Sequence, residues 1–138
     1  MSQGMVRASE LLTAHEVELL TRALLEWGGP AHCSDQLAVA MGFAGTQNLF
    51  DQCQRLRQAL RADAPLGAAD WARTLLATEI AFASDLAGSG VEWSTTTGRD
   101  DAATIRMLRV IQRKLARTAV PFLTCHGPAG RSARQERG

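Results

Sequence analysis

The sequence has no tyrosine, only four prolines among its 138 residues, and aromatic side chains at 5%. Strands favour β-branched and aromatic residues, and no segment is rich in them, so the composition disfavours a sheet protein. No stretch approaches the roughly 20 uninterrupted apolar residues that span a bilayer, so no membrane partner is expected. These absences leave a helical, non-membrane protein as the expected class.

Cysteine is scarce and its number is odd, with Cys33, Cys53 and Cys125 at no spacing typical of a disulfide framework. The N-terminus has no apolar core of the kind that a signal peptide requires. We therefore expect free thiols, a reducing compartment and a cytoplasmic location.

Apolar residues recur every three or four positions, and this spacing predicts five amphipathic helices. The first begins at Thr13, which forms a T-x-x-E capping box with Glu16, and it stops at Gly28. The others are predicted over residues 35–41, 46–61, 68–87 and 101–117, with Pro121 closing the last pattern. The fourth is the most apolar and is predicted to be the longest and to lie at the centre of the fold.

These helices predict an all-α fold, a compact bundle of about five helices in one domain over residues 11–122. Residues 1–10 are predicted to be a flexible N-terminus. Residues 123–138 have little to bury and are predicted to be a mobile, disordered basic tail.

Positive charge gathers toward the C-terminal end. Residues 100–138 hold seven arginines and one lysine against three acids, a net charge of +5, whereas residues 1–99 hold seven arginines against eleven acids, a net charge of −4. On the fifth helix, four arginines fall within a sector of about 80°. We expect this row to dock on an acidic protein surface or a nucleic-acid backbone; alternatively, carboxylates of neighbouring helices neutralise it. Its members are Arg106, Arg109, Arg113 and Arg117.

The glycine-rich connector over residues 88–98 contains Trp93 and is predicted to be a loop or a short extended piece. Trp93 either closes the core between the fourth and fifth helices or is an exposed anchor that joins the arginines in binding a partner.

Residues 34–56 have the pattern of two short helices joined at a glycine. This stretch resembles the second half of an AraC-type helix-turn-helix. The resemblance lies in the spacing of two leucines, a small residue, a glycine and an aromatic residue, which are Leu37, Leu49, Ala38, Gly42 and Phe43. The resemblance implies DNA binding through outward side chains of the second helix, namely Gln47, Asn48, Gln52 and Arg55. The alternative is a glycine-capped corner between packed helices, favoured by the lack of a basic residue where the second helix begins.

Glu79 lies within the apolar arc of the fourth helix, so we expect a structural partner for it, an arginine or a tryptophan N–H; a catalytic acid or base is the alternative. The pairs His32-Cys33 and Cys125-His126 lack the spacing of a zinc site. His15 has no recognisable nucleophile beside it. We therefore expect no enzyme activity, no metal and no cofactor.

The leading hypothesis is a non-catalytic adaptor module, monomeric or homodimeric, that binds an acidic partner through the basic helix face. By analogy of fold alone, helical bundles of this size serve as effector-associated modules, including death-like domains of bacterial defence systems. The alternative is a DNA-binding regulator that uses residues 34–56.

Overall fold

The computed structural model describes residues 5–28, 33–84 and 88–124, and in these ranges the fold is all-α, as predicted. Of the tail predicted over residues 123–138, Leu123 and Thr124 belong to a helix, and residues 125–138 lie outside the described residues. Within the described ranges, one antiparallel β-bridge joins Val6 to Leu66. The helices are α1 (Ala8–Leu11), α2 (Ala14–Glu26), α3 (Asp35–Ala40), α4 (Thr46–Ala62), α5 (Ala68–Ala83), α6 (Trp93–Thr97) and α7 (Asp101–Thr124).

Capping side chains set three helix starts where the sequence predicts them. At α2, Thr13 Oγ1 accepts from the Glu16 N–H at 3.2 Å, and Glu16 Oε1 accepts from the Thr13 N–H at 2.9 Å. The Ser34 hydroxyl and the Asp100 carboxylate each accept from the N–H three residues later, at 3.1 and 3.0 Å. Each cap satisfies an amide that the helix itself leaves without a partner.

The core lies between four long helices. α5 packs against both α2 and α7, and α4 packs against the other side of α2. Burying each large apolar side chain stabilises the fold by about 1.5–3 kcal/mol. The largest fully buried side chains include three tryptophans and members of each long helix: Trp27, Trp71, Trp93, Leu19, Leu20, Leu24, Met41, Leu49, Leu56, Ile111 and Leu115.

The apolar spacing along α5 predicts a buried face through Trp71, Leu75 and Phe82, but the face that is buried is rotated from it and keeps only Trp71 of the three fully buried. Along α5, small residues such as Ala77, Thr78 and Ala81 are buried, whereas Leu75 and Phe82 are only partly covered. Small side chains allow the flanking helices to approach closely, which accounts for the rotated face. α5 also has 16 residues against 24 in α7, so the prediction that it is the longest helix is wrong.

Two further predictions about apolar faces are wrong at single positions. The helical spacing of apolar residues places Phe50 in the apolar stripe of α4 and Ile105 in that of α7, yet the two side chains are 40% and 41% exposed. At α7, Thr104 occupies the core in place of Ile105, because its hydroxyl accepts from the Trp93 indole N–H at 3.0 Å. α7 also continues past Pro121 to Thr124, so the prediction that this proline closes the helix is wrong.

Part of the N-terminal segment that was expected to be flexible is fastened to the bundle. Val6 and Leu66 exchange backbone hydrogen bonds of 2.8 and 2.9 Å. The Asp63 carboxylate accepts from the Ser9 N–H at 2.9 Å and from the Ser9 hydroxyl at 2.6 Å. The Trp71 indole N–H donates to the Val6 carbonyl at 3.2 Å. Residues 5–11 therefore form part of the bundle, and residues 1–4 lie outside the described residues.

Candidate functional site

The arginine row of α7, defined as Arg106, Arg109, Arg113 and Arg117, is exposed at every member. The opposite side of the same helix is fixed in the core by Leu108, Ile111 and Leu115. The four positions extend over about three helical turns, roughly 16 Å along the axis. Core packing therefore holds the row toward solvent, as the periodicity predicts.

Within the described ranges, carboxylates of neighbouring helices do not neutralise this row. Among the described residues, no Asp or Glu oxygen lies within 4.0 Å of any guanidinium nitrogen of the arginine row. Arg109 donates instead to the neutral Gln112 Oε1 at 2.9 Å. Lys114, also on α7, does have a carboxylate partner, since its Nζ lies 2.8 Å from Glu16 Oε1.

The residues that flank the arginine row on the surface of α7 are small. Ala102, Ala103 and Ala116 are exposed on the same side of α7, so the arginines extend beyond the helix surface. Like charges three and four residues apart repel one another on a helix, at a small cost that a bound anionic surface would relieve. The row is thus a continuous cationic strip without an internal counter-ion in the described part of the chain.

Trp93, expected as a possible partner-binding residue, is removed from the surface. Its side chain is 0% exposed, and its ring lies edge-on to Phe82 with the ring centroids 5.4 Å apart. A short helical segment holds it there, since a 3-10 turn over Gly90–Glu92 leads directly into α6. The connector is helical where a loop or extended piece was expected, and Trp93 closes the core between α5 and α7.

The stretch that resembles a helix-turn-helix forms a glycine-capped corner. Gly42 has a φ of 100°, a conformation that favours glycine. The Phe43 N–H bonds to the Ala38 carbonyl at 2.9 Å and the Gly42 N–H to the Val39 carbonyl at 3.0 Å, which is the Schellman arrangement at a helix C-terminus. Arg73 of α5 fastens this corner to the bundle by donating to the Gly42 carbonyl at 2.6 Å.

The side chains expected to read DNA bases are engaged within the chain. Gln47 donates to Asp51 at 3.2 Å, and Asn48 Oδ1 accepts from the Ala44 N–H at 2.9 Å. Gln52 accepts from Arg55 at 2.7 Å, and Arg55 also pairs with Asp70 of α5 at 2.7 Å. Arg55 therefore lies toward a neighbouring helix. With Arg55 paired to Asp70, these four side chains offer, within the described ranges, no unpaired cation of the kind that DNA affinity requires.

An acid lies at the N-terminus of α4, the end that a recognition helix directs toward DNA. Asp35 Oδ1 accepts from the Thr46 N–H at 2.8 Å, and this hydrogen bond holds the pKa of Asp35 below its usual range. The ionised carboxylate would face phosphate oxygens, so it counts against the DNA hypothesis.

Glu79 has a neutral partner, and the expected ion pair or tryptophan contact is absent among the described residues. It is half-buried on α5, and its Oε2 accepts from Gln112 Nε2 at 2.7 Å. Gln112 in turn accepts from Arg109, so the amide links Glu79 indirectly to one edge of the arginine row.

The thiols that the structure describes are poorly placed for chemistry. Burial raises the pKa of Cys53 to about 12, so its thiol stays protonated at neutral pH. Cys33 is half-covered, and burial likewise raises its pKa. No group of three potential metal ligands occurs among the described residues, and His32, Cys125 and His126 lie outside them.

A cleft between the end of α2 and the middle of α4 was not anticipated from the sequence. It has a volume of about 220 Å³, and Leu25 and Phe50, each 40% exposed, form its apolar rim. Arg57 lines it, and the buried Arg57 Nε has no hydrogen-bond acceptor in the described part of the chain. The signal available in the sequence was Phe50 itself, an aromatic at the edge of its helix's apolar stripe.

Comparison with protein-family models, with curated proteins and with solved structures finds no match to this chain. Within the described ranges, none of the helices combines the length and the hydrophobicity of a membrane span.

Proposed function

We propose that this protein is a non-catalytic interaction module that docks on an acidic protein surface through the arginine row of α7. The observation that carries this proposal is a set of four exposed guanidiniums, fixed on one helix face, with no carboxylate within 4.0 Å among the described residues. An adaptor role in the cytoplasm is the setting that we propose for it.

The chemistry of the row favours a carboxylate-bearing partner. Guanidinium groups bind carboxylates through paired, planar hydrogen bonds, and their weak hydration lowers the cost of burying them at an interface. A second helix with acids three or four residues apart would place one carboxylate opposite each arginine. Such charge complementarity mainly sets the association rate and the choice of partner.

The test uses a synthetic helical peptide with glutamates at three- and four-residue spacing as the probe. Reversing two charges, Arg109→Glu with Arg113→Glu, is expected to weaken binding about ten-fold or more, which corresponds to about 1.4 kcal/mol. Because both side chains are exposed, the melting temperature should stay unchanged. Surface plasmon resonance at low and high salt measures the affinity, which should fall as salt rises.

The matched control reverses Arg7 and Arg61, two exposed arginines outside α7, and gives the same net charge. This control is expected to bind the acidic peptide like the unmodified protein. Equal losses in the two variants would show that only the net charge matters and would contradict the proposal. Loss of folding in the Arg109/Arg113 variant would mean that the row is internal.

The alternative hypothesis, DNA binding through residues 34–56, is tested with duplex DNA in the same assay. It predicts binding that falls steeply with salt and is lost on substitution of Gln47 and Arg55. Binding of the duplex in preference to the acidic peptide would favour that hypothesis over the proposed one.

A further inference from the structure

The cleft between α2 and α4 combines an apolar rim with one buried cationic donor. Leu25 and Phe50 are both 40% exposed, large side chains that a folded chain more often covers. Cys53 also lines the cleft and is buried, and its protonated thiol behaves as a small apolar group. The walls therefore suit an apolar side chain.

Arg57 gives the cleft its polarity. The side chain is half-buried, and no carboxylate lies within 4.0 Å of it among the described residues. The Nε atom itself is buried, so an external anion would pair with the guanidinium charge through the exposed part of the side chain. Arg57 therefore supplies the positive charge with which a carboxylate of a bound ligand would pair in this cleft.

The size of the cleft limits what it can hold. At about 220 Å³ it is smaller than typical small-molecule sites, which begin near about 300 Å³. One residue that carries both an apolar side chain and a carboxylate meets the two requirements in the least space. The C-terminal residue of a polypeptide is such a group, and capture of a terminal carboxylate is a known mode of peptide recognition.

We infer that the cleft lined by Leu25, Phe50 and Arg57 binds the free C-terminal residue of a partner polypeptide, with an apolar side chain in the cleft and its carboxylate on Arg57. The chain's own residues 125–138 are poor candidates, since they contain three arginines and no leucine, isoleucine, valine, methionine or phenylalanine. The site lies on α4 and α2, whereas the arginine row lies on α7, so this inference does not depend on the proposed function.

The test titrates the full chain with a glycine–serine hexapeptide that ends in phenylalanine, followed by NMR chemical shifts. The free acid is expected to bind about ten-fold or more tightly than the same peptide with a C-terminal amide, because hydrogen bonds to charged groups are the strong ones. The largest shifts should occur at Leu25, Phe50 and the Arg57 side chain.

Substitution of Arg57 by glutamine should abolish the difference between acid and amide, whereas Arg61→Gln, one turn further along α4, should preserve it. If the Arg57 variant does not fold, the acid and amide pair on the unmodified protein decides alone. Equal affinities for acid and amide, or shifts outside the cleft, would overturn the inference. Binding of N-acetylphenylalanine as tight as that of the hexapeptide would assign the site to a small acid and overturn the peptide assignment.

Discussion

Glu16 serves two structural roles at the first turn of α2. It completes the capping box with Thr13, and its side chain, 8% exposed, accepts two hydrogen bonds from Lys114 of α7 at 2.8 and 3.0 Å. Burial raises the pKa of Glu16, but the hydrogen bonds from Lys114 and Thr13 lower it by more, so it lies below its ordinary value of 4.5. A carboxylate with a depressed pKa stabilises the folded state only while it is ionised.

This pair predicts a pH-dependent stability. Glu16→Gln keeps an acceptor for the cap but removes the charge opposite Lys114, so at pH 7 it should cost about 1–2 kcal/mol, allowing for the partial exposure of Lys114. Because the folded-state pKa is the lower one, the contribution is complete above pH 4.5 and is lost as the pH falls through the folded value. Urea unfolding at neutral and acidic pH measures the difference.

The control for this prediction is Glu18→Gln. The Glu18 side chain is 69% exposed and lies 3.7 Å from Arg99, so its removal should change stability by only a few tenths of a kcal/mol at either pH. A difference between the unmodified protein and Glu16→Gln that grows toward acid pH would contradict the argument.

At the scale of elements, local chemistry predicted the helix starts well and the buried faces less well. The caps at Thr13, Ser34 and Asp100 involve residues three apart, so the sequence alone predicts them. Which face of α5 is buried depends on the helices that flank it on both sides. The periodicity of α5 could not show this, because small residues such as Ala77 become core only when a neighbour approaches closely.

The N-terminal turn shows the same limit. Ser9 and Asp63 are 54 positions apart, and nothing local indicates that they share two hydrogen bonds. Asp63 holds a φ of 55° at the end of α4, which presents its carboxylate to Ser9. A contact between distant segments therefore converts a stretch expected to be flexible into part of the bundle.

Trp93, the first residue of α6, packs between α5 and α7. A substitution at this position tests whether Trp93 stabilises the core or binds a partner. Trp93→Phe removes the hydrogen bond to Thr104 and part of the edge-to-face contact with Phe82, so it should destabilise the fold by about 2 kcal/mol. Since the ring is 0% exposed, affinity for the acidic helical peptide should stay within about two-fold below the melting temperature. Thermal unfolding and the binding assay measure the two effects.

A matched variant, Thr104→Val, keeps the shape of the side chain and leaves the indole N–H without its acceptor. We expect a loss of about 1–3 kcal/mol and, again, unchanged binding. Lost peptide binding in a folded Trp93 variant would restore the interpretation of Trp93 as an exposed anchor.

At the scale of the whole molecule, the two candidate surfaces differ in how far the sequence reveals them. The arginine row is a property of one helix, and its period alone predicts that Arg106 and Arg113 share a face. Whether carboxylates neutralise the row depends on what α5 and α2 place nearby, which the period of one helix does not show. The cleft depends on two helices, since Leu25 and Arg57 become neighbours only when α2 and α4 pack.

Which helices pack on each other also predicts whether binding at one surface affects binding at the other. α7 packs chiefly on α5 and α4 chiefly on α2, so the arginine row and the cleft belong to different helix pairs within one rigid core. Coupling between two sites requires an element that has two arrangements and responds to both ligands. The core tryptophans and leucines that separate these surfaces are fully buried and closely packed, which favours a single arrangement.

We therefore expect the two proposed ligands to bind independently. Saturation with the phenylalanine-terminated hexapeptide should change the affinity for the acidic helical peptide by less than about two-fold, and the reverse titration should agree by linkage. Combining Arg57→Gln with the Arg109 and Arg113 reversals should add their separate effects within about 0.5 kcal/mol, as for distant sites. Competition between the peptides would place both on one surface and contradict this independence, whereas a large coupling without competition would reveal a second arrangement of the bundle.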